Sequence, residues 1–141
     1  MKKVALALVI LLLSAAPALA DCAKCSNCMM KIPEDSKYMV TLSMKDGNIK
    51  TMCSFYCATM VRERKVSDVA GMDVLDYSTG EKLKAEDAVW VEGADIKSVM
   101  SDVPRIAFKD KASADAFIKV KGGKIVPYKD VYDNSVKEWK Q

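Results

Sequence analysis

Along residues 38–44, Tyr38, Val40, Leu42 and Met44 alternate with Met39, Thr41 and Ser43. This period of two predicts a half-buried strand whose first set, Met44 included, faces a core. Asp46-Gly47 reads as a hairpin turn, because such a pair tolerates the positive φ of a tight turn, and residues 48–53 return as a second strand. Met39 and Met52 fall on the opposite faces of their strands. Ser54 is placed to cap a helix running through Phe55, Ala58 and Val61 to about Lys65. Residues 73–77 form a third strand, closed by Ser78-Thr79-Gly80. The same order then recurs. Residues 88–92 and 105–108 read as strands joined by a loop with Met100 and Pro104. Residues 112–121 read as a helix burying Ala114, Phe117, Ile118 and Val120, stopped by Gly122-Gly123, and residues 124–128 as a last strand. Tyr132, Val136 and Trp139 sit at helix-like intervals in a short C-terminal tail. The pattern predicts an α+β fold of two related strand-strand-helix-strand units, at about 36–80 and 86–130.

The first twenty residues stand outside that pattern. Lys2 and Lys3, the apolar run from Val4 to Leu13, and Ala18-Leu19-Ala20 have the form of a secretory signal. A mature, soluble, periplasmic chain is expected to begin at Asp21. The apolar run is shorter than the roughly 20 residues that span a bilayer, so no membrane insertion is expected after the signal is removed. A lipoprotein is the less favoured form, because Asp21 before Cys22 is neither small nor neutral. Without Lys2 and Lys3, the 22 basic residues fall to 20, against 19 acidic ones. That balance excludes the dense positive charge on which nucleic acids and anionic membranes depend.

The chemistry is sulfur. Cys22, Cys25, Cys28, Met29 and Met30 fall within nine residues, and Met52, Cys53, Cys57 and Met60 form a second group, in a chain with no histidine. Thiolates and thioethers are soft ligands that select monovalent copper or similar ions over hard cations. Five cysteines are an odd number, so in an oxidising compartment at least one lacks an intramolecular partner.

Cys25-x-x-Cys28 admits three readings. A redox pair would open a helix, whereas this motif lies in an irregular segment followed by Pro33. Structural zinc would take Cys25 and Cys28 with Cys53 and Cys57, though the second pair has three intervening residues. Monovalent copper tolerates two or three sulfurs in no strict geometry and suits the mixed cluster best. If Ser54 caps a helix, Cys57 lies in its first turn, where free N–H groups favour a thiolate. The alternative is that Cys53 and Cys57 are buried hydrophobes or disulfide partners. Met29 and Met30 have no core to fill by periodicity, so ligation is expected of them. With no histidine, no Gly-x-Gly-x-x-Gly and no P-loop, general acid–base and phosphate chemistry find no support, and an enzyme is not expected.

Cys25-Ser-Asn-Cys28-Met-Met30-Lys-Ile32 resembles the Cys-x-x-Cys-Gly-Met-x-Ile motif of the NosL-type nitrous oxide reductase accessory proteins, an exported copper-binding family. The likeness continues through Asp35-Ser-Lys37-Tyr38, Asp46-Gly47, Phe55 with Cys57, Met100 ahead of Pro104, Ala107-Phe108, Ala116-Phe117 and Gly122-Gly123-Lys-Ile-Val. It implies two related strand-strand-helix-strand units, as in the non-catalytic part of organomercurial lyase (MerB). It further implies an exported Cu(I) metallochaperone with Cys28 and Met30 as ligands and Met100 as a candidate third. Cys25, Met29, Cys53 and Cys57 complete the candidate metal set. Delivery would be by ligand exchange to a cuproenzyme such as nitrous oxide reductase, with a copper-transport protein as another donor or acceptor. The site is expected on a mobile Cys/Met-rich segment, residues 21–35, beside the scaffold. Two departures stand out: Met29 replaces the usual glycine, and Cys22 with Cys53 exceeds the family's minimal set. Two other functions stay open, a thiol-disulfide oxidoreductase acting through Cys25 and Cys28, and a disulfide-stapled binding module without metal.

Overall fold

A computed structural model describes residues 23–141. The expected signal, residues 1–20, and Cys22 lie outside the described residues. β1 (Val40–Met44) pairs antiparallel with β2 (Ile49–Met52) on one side and with β3 (Val69–Leu75) on the other. β4 (Lys82–Lys84) adds an edge to β3, and α1 (Phe55–Arg64) connects β2 to β3. β5 (Val89–Glu92) is likewise central, between β6 (Arg105–Phe108) and β7 (Lys124–Val126), and α2 (Lys111–Lys121) connects those two. The strand orders are therefore β2-β1-β3-β4 and β6-β5-β7. In both units the first strand is central and the helix crosses from one flank to the other. α3 (Tyr128–Lys140) closes the chain.

The local chemistry explains most of these elements. Val40, Leu42 and Met44 are buried and Thr41 and Ser43 half-buried, as alternation requires. Ser54 accepts the Cys57 N–H at 3.4 Å and so starts α1. Asp110 caps α2 in the same way, through the Ser113 N–H at 2.8 Å. Four details differ from the sequence pattern. β3 begins at Val69, earlier than expected, and ends before Asp76, whose carboxylate starts a turn. β4 reads Lys-Leu-Lys and gains its place from pairing, helped by an ion pair between Lys84 and Asp73 at 2.7 Å. Val120, expected in the core, is 78% exposed, because α2 buries only Ala114 fully, with Phe117 and Ile118 half-buried beside it. The last strand stops at Val126, and the tail is no short appendage. It is a thirteen-residue helix, α3, packed on α1 with Thr59 and Ser135 sharing a buried hydroxyl contact at 2.8 Å.

The two units share the main core, beside a smaller cluster of Val91, Ala94, Ile106, Phe108 and Ala114 in the second unit. Trp90, Ala107 and Val126 join the side chains of the first sheet, and Trp90 lies 4.4 Å from Phe55, centroid to centroid. The Trp90 indole N–H donates to the Ala85 carbonyl at 2.7 Å, which satisfies the polar end of a buried ring. Asp76 stitches the sheets together. Its carboxylate accepts N–H bonds from Ser78 at 2.7 Å, Thr79 at 3.0 Å and Lys109 at 2.7 Å. Burial alone would raise the Asp76 carboxyl, but the main-chain donors outweigh it and hold the group below the ordinary carboxylate range. Glu138 is lowered likewise: burial opposes, and Arg105, Ser101 and the Asp102 N–H outweigh it. A carboxyl lowered by folding contributes stability that is present above its unfolded pKa, about 4, and is lost as pH falls through the lower folded value. The urea midpoint is expected to drop between pH 5 and pH 3, and Asp76→Asn to shallow that drop. An unchanged pH slope in Asp76→Asn would contradict this role.

Candidate metal centre

The Cys25-x-x-Cys28 segment is not a loose arm. Cys25 N–H donates to the Met30 carbonyl and Met29 N–H to the Cys25 carbonyl, both at 2.9 Å, and Ile32 N–H reaches the Ala23 carbonyl at 2.7 Å. The resulting tight hairpin is fastened to β2 by Ser26 N–H on the Thr51 carbonyl at 2.9 Å. Cys25 and Ile32 belong to the main core. A mobile segment beside a scaffold is therefore replaced by a docked hairpin, because burying these two side chains ties it down.

Met29 has φ +63°, the left-handed region. That explains why the resembling motif has glycine at this position, since a Cβ there costs roughly 1–2 kcal/mol. Met29 is also 66% exposed, so its side chain returns little by packing. Met29→Gly is expected to leave stability unchanged or raise it by up to about 1 kcal/mol, after the extra entropy glycine loses on folding. A thermal melt reads this, and a fall beyond about 1 kcal/mol would mean that Met29 makes a stabilising contact.

The second sulfur group is positioned by the junction of β2 and α1. Met52 is fully buried, Cys53 follows at the end of the strand, and the Ser54 cap sets Cys57 in the first helical turn. Met39, just ahead of β1, is half-buried against the main core. The hairpin and this junction bring Cys25, Cys28, Cys53 and Cys57 together, with all four sulfurs within 4.8 Å of one another. The Cys28–Cys53 and Cys53–Cys57 contacts are both 3.6 Å. All four are free thiols, well beyond the roughly 2.05 Å of a disulfide bond. Cys25, Cys53 and Cys57 are buried and Cys28 is half-buried, so access is through Cys28 and its surroundings.

The thiols influence one another. Cys53 donates to Cys57, which lowers the Cys57 thiol against the effect of burial and raises that of Cys53. Desolvation raises Cys28, partly offset by the Met30 N–H directed at its sulfur. Cys57, in the first turn of α1, is therefore the thiol best prepared to ionise.

Beside the cluster lies a cleft of about 480 Å³, lined by Met30, Cys53 and Met100 together with Tyr38, Tyr77 and Val99. The structure thus brings Met30 and Met100 to one cleft with Cys53, although Met30 and Met100 are seventy residues apart in the chain. Met29 does not line it. Met30 and Met100 are each 43% exposed, so both thioethers are accessible. Met100 also has positive φ, +61°. Its loop is held from two sides. Tyr38 Oη donates to the Lys97 carbonyl at 2.6 Å, and the Glu138 carboxylate accepts the Ser101 hydroxyl at 2.8 Å and the Asp102 N–H at 2.9 Å. Glu138 is in turn paired with Arg105 at 2.6 Å, and Arg105 with Glu92 at 2.9 Å.

Sequence reasoning did not single out Arg105, Glu92 or Glu138, which brace the Met100 loop. The one signal was a pair of charges, Glu92 and Arg105, set at the ends of apolar strands. Asn27 was also missed. Its amide lies 3.6 Å from the Met60 sulfur and its side chain helps to lower Cys57.

The NosL family model matches residues 16–136. The fold is similar to that of the copper chaperone NosL from Shewanella denitrificans, with a TM-score of 0.66 and 23% identity, covering 81% of this chain and 92% of that one. No curated protein matches. Among the described residues no helix is long and apolar enough to cross a membrane.

Proposed function

This chain belongs to the NosL family, and on that premise we propose that it is an exported Cu(I) metallochaperone, delivering its ion by ligand exchange to a cuproenzyme such as nitrous oxide reductase. A copper-transport protein is the other proposed donor or acceptor. The observation that carries the reading is a cleft lined by Met30, Met100 and Cys53 next to four free thiols, in a chain with no imidazole. Such a donor set is soft throughout and selects Cu(I) over hard ions. That the fold is shared with a copper chaperone adds support.

The cargo ion is held by the Cys28 thiolate and the Met30 thioether, with Met100 or Cys25 as a third ligand. Cys28 is the most exposed thiol of the cluster and Met30 opens on the cleft, so an incoming sulfur or nitrogen reaches the ion from that side. With two or three ligands in place, the newcomer binds before an old ligand leaves, and the ion is never free. Binding releases the Cys28 proton to solvent, and no electron moves. A thioether also suits an oxidising compartment, since it forms no disulfide. The activity is carriage rather than catalysis.

Ligand exchange makes a kinetic prediction. Copper transfer from the loaded protein to a Cu(I)-binding acceptor is expected to speed up in proportion to acceptor concentration. A rate independent of the acceptor would mean spontaneous release, and turnover of dithiol substrates without copper would favour the thiol-disulfide reading instead.

A further inference from the structure

Six sulfur-bearing side chains border this region: four thiols within 4.8 Å of one another, and Met30 and Met100, which line the cleft that Cys53 also lines. One Cu(I) ion needs two or three. The six also differ in depth. Cys28, Met30 and Met100 are partly exposed, whereas Cys25, Cys53 and Cys57 are at most 2% exposed. An ion that is to be handed over needs an open side, which the deep thiols do not offer. Cys53 belongs to both sets, since it lines the cleft and lies 3.6 Å from Cys28 on one side and 3.6 Å from Cys57 on the other.

We infer that the protein carries a second Cu(I) station beneath the first, in which Cys25 and Cys57 hold a deep ion and the Cys53 thiolate bridges it to the ion at Cys28 and Met30. This rests on the Cu(I) reading above and extends it from one ion to two. Sulfurs 3.6–4.8 Å apart at the corners of a triangle leave a centre roughly 2.1–2.8 Å from each, which brackets the ~2.3 Å of a metal–thiolate bond. Little rearrangement is needed. Cys57 lies in the first turn of α1, where the positive end of the helix dipole favours the added negative charge. Each thiol that ligates gives its proton to solvent, and copper stays monovalent throughout. Cys53 also supplies the route inward, because an ion captured in the cleft reaches Cys57 by exchanging one sulfur at a time. The deep station retains copper while the outer one trades it.

The test is anaerobic Cu(I) titration of the reduced protein, with Cys22→Ser as background, read by native mass spectrometry. Two ions per chain are expected, falling to one in Cys25→Ser/Cys57→Ser. Saturation at one ion, or two ions retained by the folded double variant, overturns the second station and leaves the single-ion chaperone intact. No binding at all overturns both. Because Cys25 and Cys57 are core residues, the double variant is checked for folding by circular dichroism. If it does not fold, copper X-ray absorption of the two-ion form of Cys22→Ser decides. All-sulfur coordination with copper–copper scattering is expected from a bridging thiolate, and its absence overturns the inference.

Discussion

Arg105→Ala is expected to destabilise the protein by about 3–5 kcal/mol, the cost of stripping one partner from a buried ion pair. Arg105 is 8% exposed and its guanidinium spans two carboxylates, Glu92 through Nε at 2.9 Å and Glu138 through Nη1 at 2.6 Å. A third contact reaches the Ser101 hydroxyl at 3.1 Å. The alanine would leave Glu92, 6% exposed, with only Asn134 at 3.0 Å as a side-chain partner, and Glu138 facing it as a like charge. Arg105→Lys is expected to recover only part of the loss, because one ammonium cannot reproduce a planar fork that serves two acids. At this chain length the loss corresponds to a melting temperature lower by roughly 10–20 °C. A change below about 1 kcal/mol in urea titration would mean that the triad is solvated and not structural. The same substitution removes Arg105 from the Ser101 hydroxyl and from Glu138, the anchor of the Met100 loop on α3, so the loop is held less firmly and weaker copper retention should accompany the loss of stability.

Replacing Cys28 with serine and Met30 with leucine together separates function from stability in the opposite direction. Both side chains are partly exposed, so stability should change by less than about 1 kcal/mol. The exchangeable Cu(I) ion, by contrast, is expected to bind at least ~100-fold more weakly. Even outer partners of metal ligands cost 10–100-fold in affinity, and here two proposed ligands go at once. Transfer to an acceptor should fall with it. Serine keeps the size of the cysteine without a soft donor, and leucine keeps the bulk of the methionine. Unchanged transfer by this variant would place the cargo elsewhere among the sulfurs.

Local chemistry made the centre of the site legible in the sequence. Ser54 signalled the start of α1, and that start fixes Cys57 in the first turn. Alternation through Val40, Leu42 and Met44 located β1, and the repeated order of elements anticipated two strand-strand-helix-strand units, but not that the first strand of each is central. Elements that depend on partners were less visible. β4 is too short and too charged to declare itself and exists by pairing with β3. Val120 has an apolar side chain on a helix whose packed side ends at Ile118. α3 was underestimated because part of its buried contact is made by Ser135, a polar residue meeting Thr59. The depth of the cysteines was hidden as well, since the docking of the hairpin depends on Ser26 reaching Thr51. Met100 came from motif likeness, and only the fold shows it across the cleft from Met30. The positive φ at Met29 accounts for the departure from glycine that the sequence could only note.

Anaerobic titration of the reduced, unsubstituted protein against a chromogenic Cu(I) competitor decides whether this sulfur site holds Cu(I). Withdrawal of at least one ion per chain from the competitor, with sulfur alone in the copper coordination shell, is the predicted result. Failure to draw copper from the competitor, or coordination by nitrogen and oxygen, would exclude a Cu(I)–sulfur site.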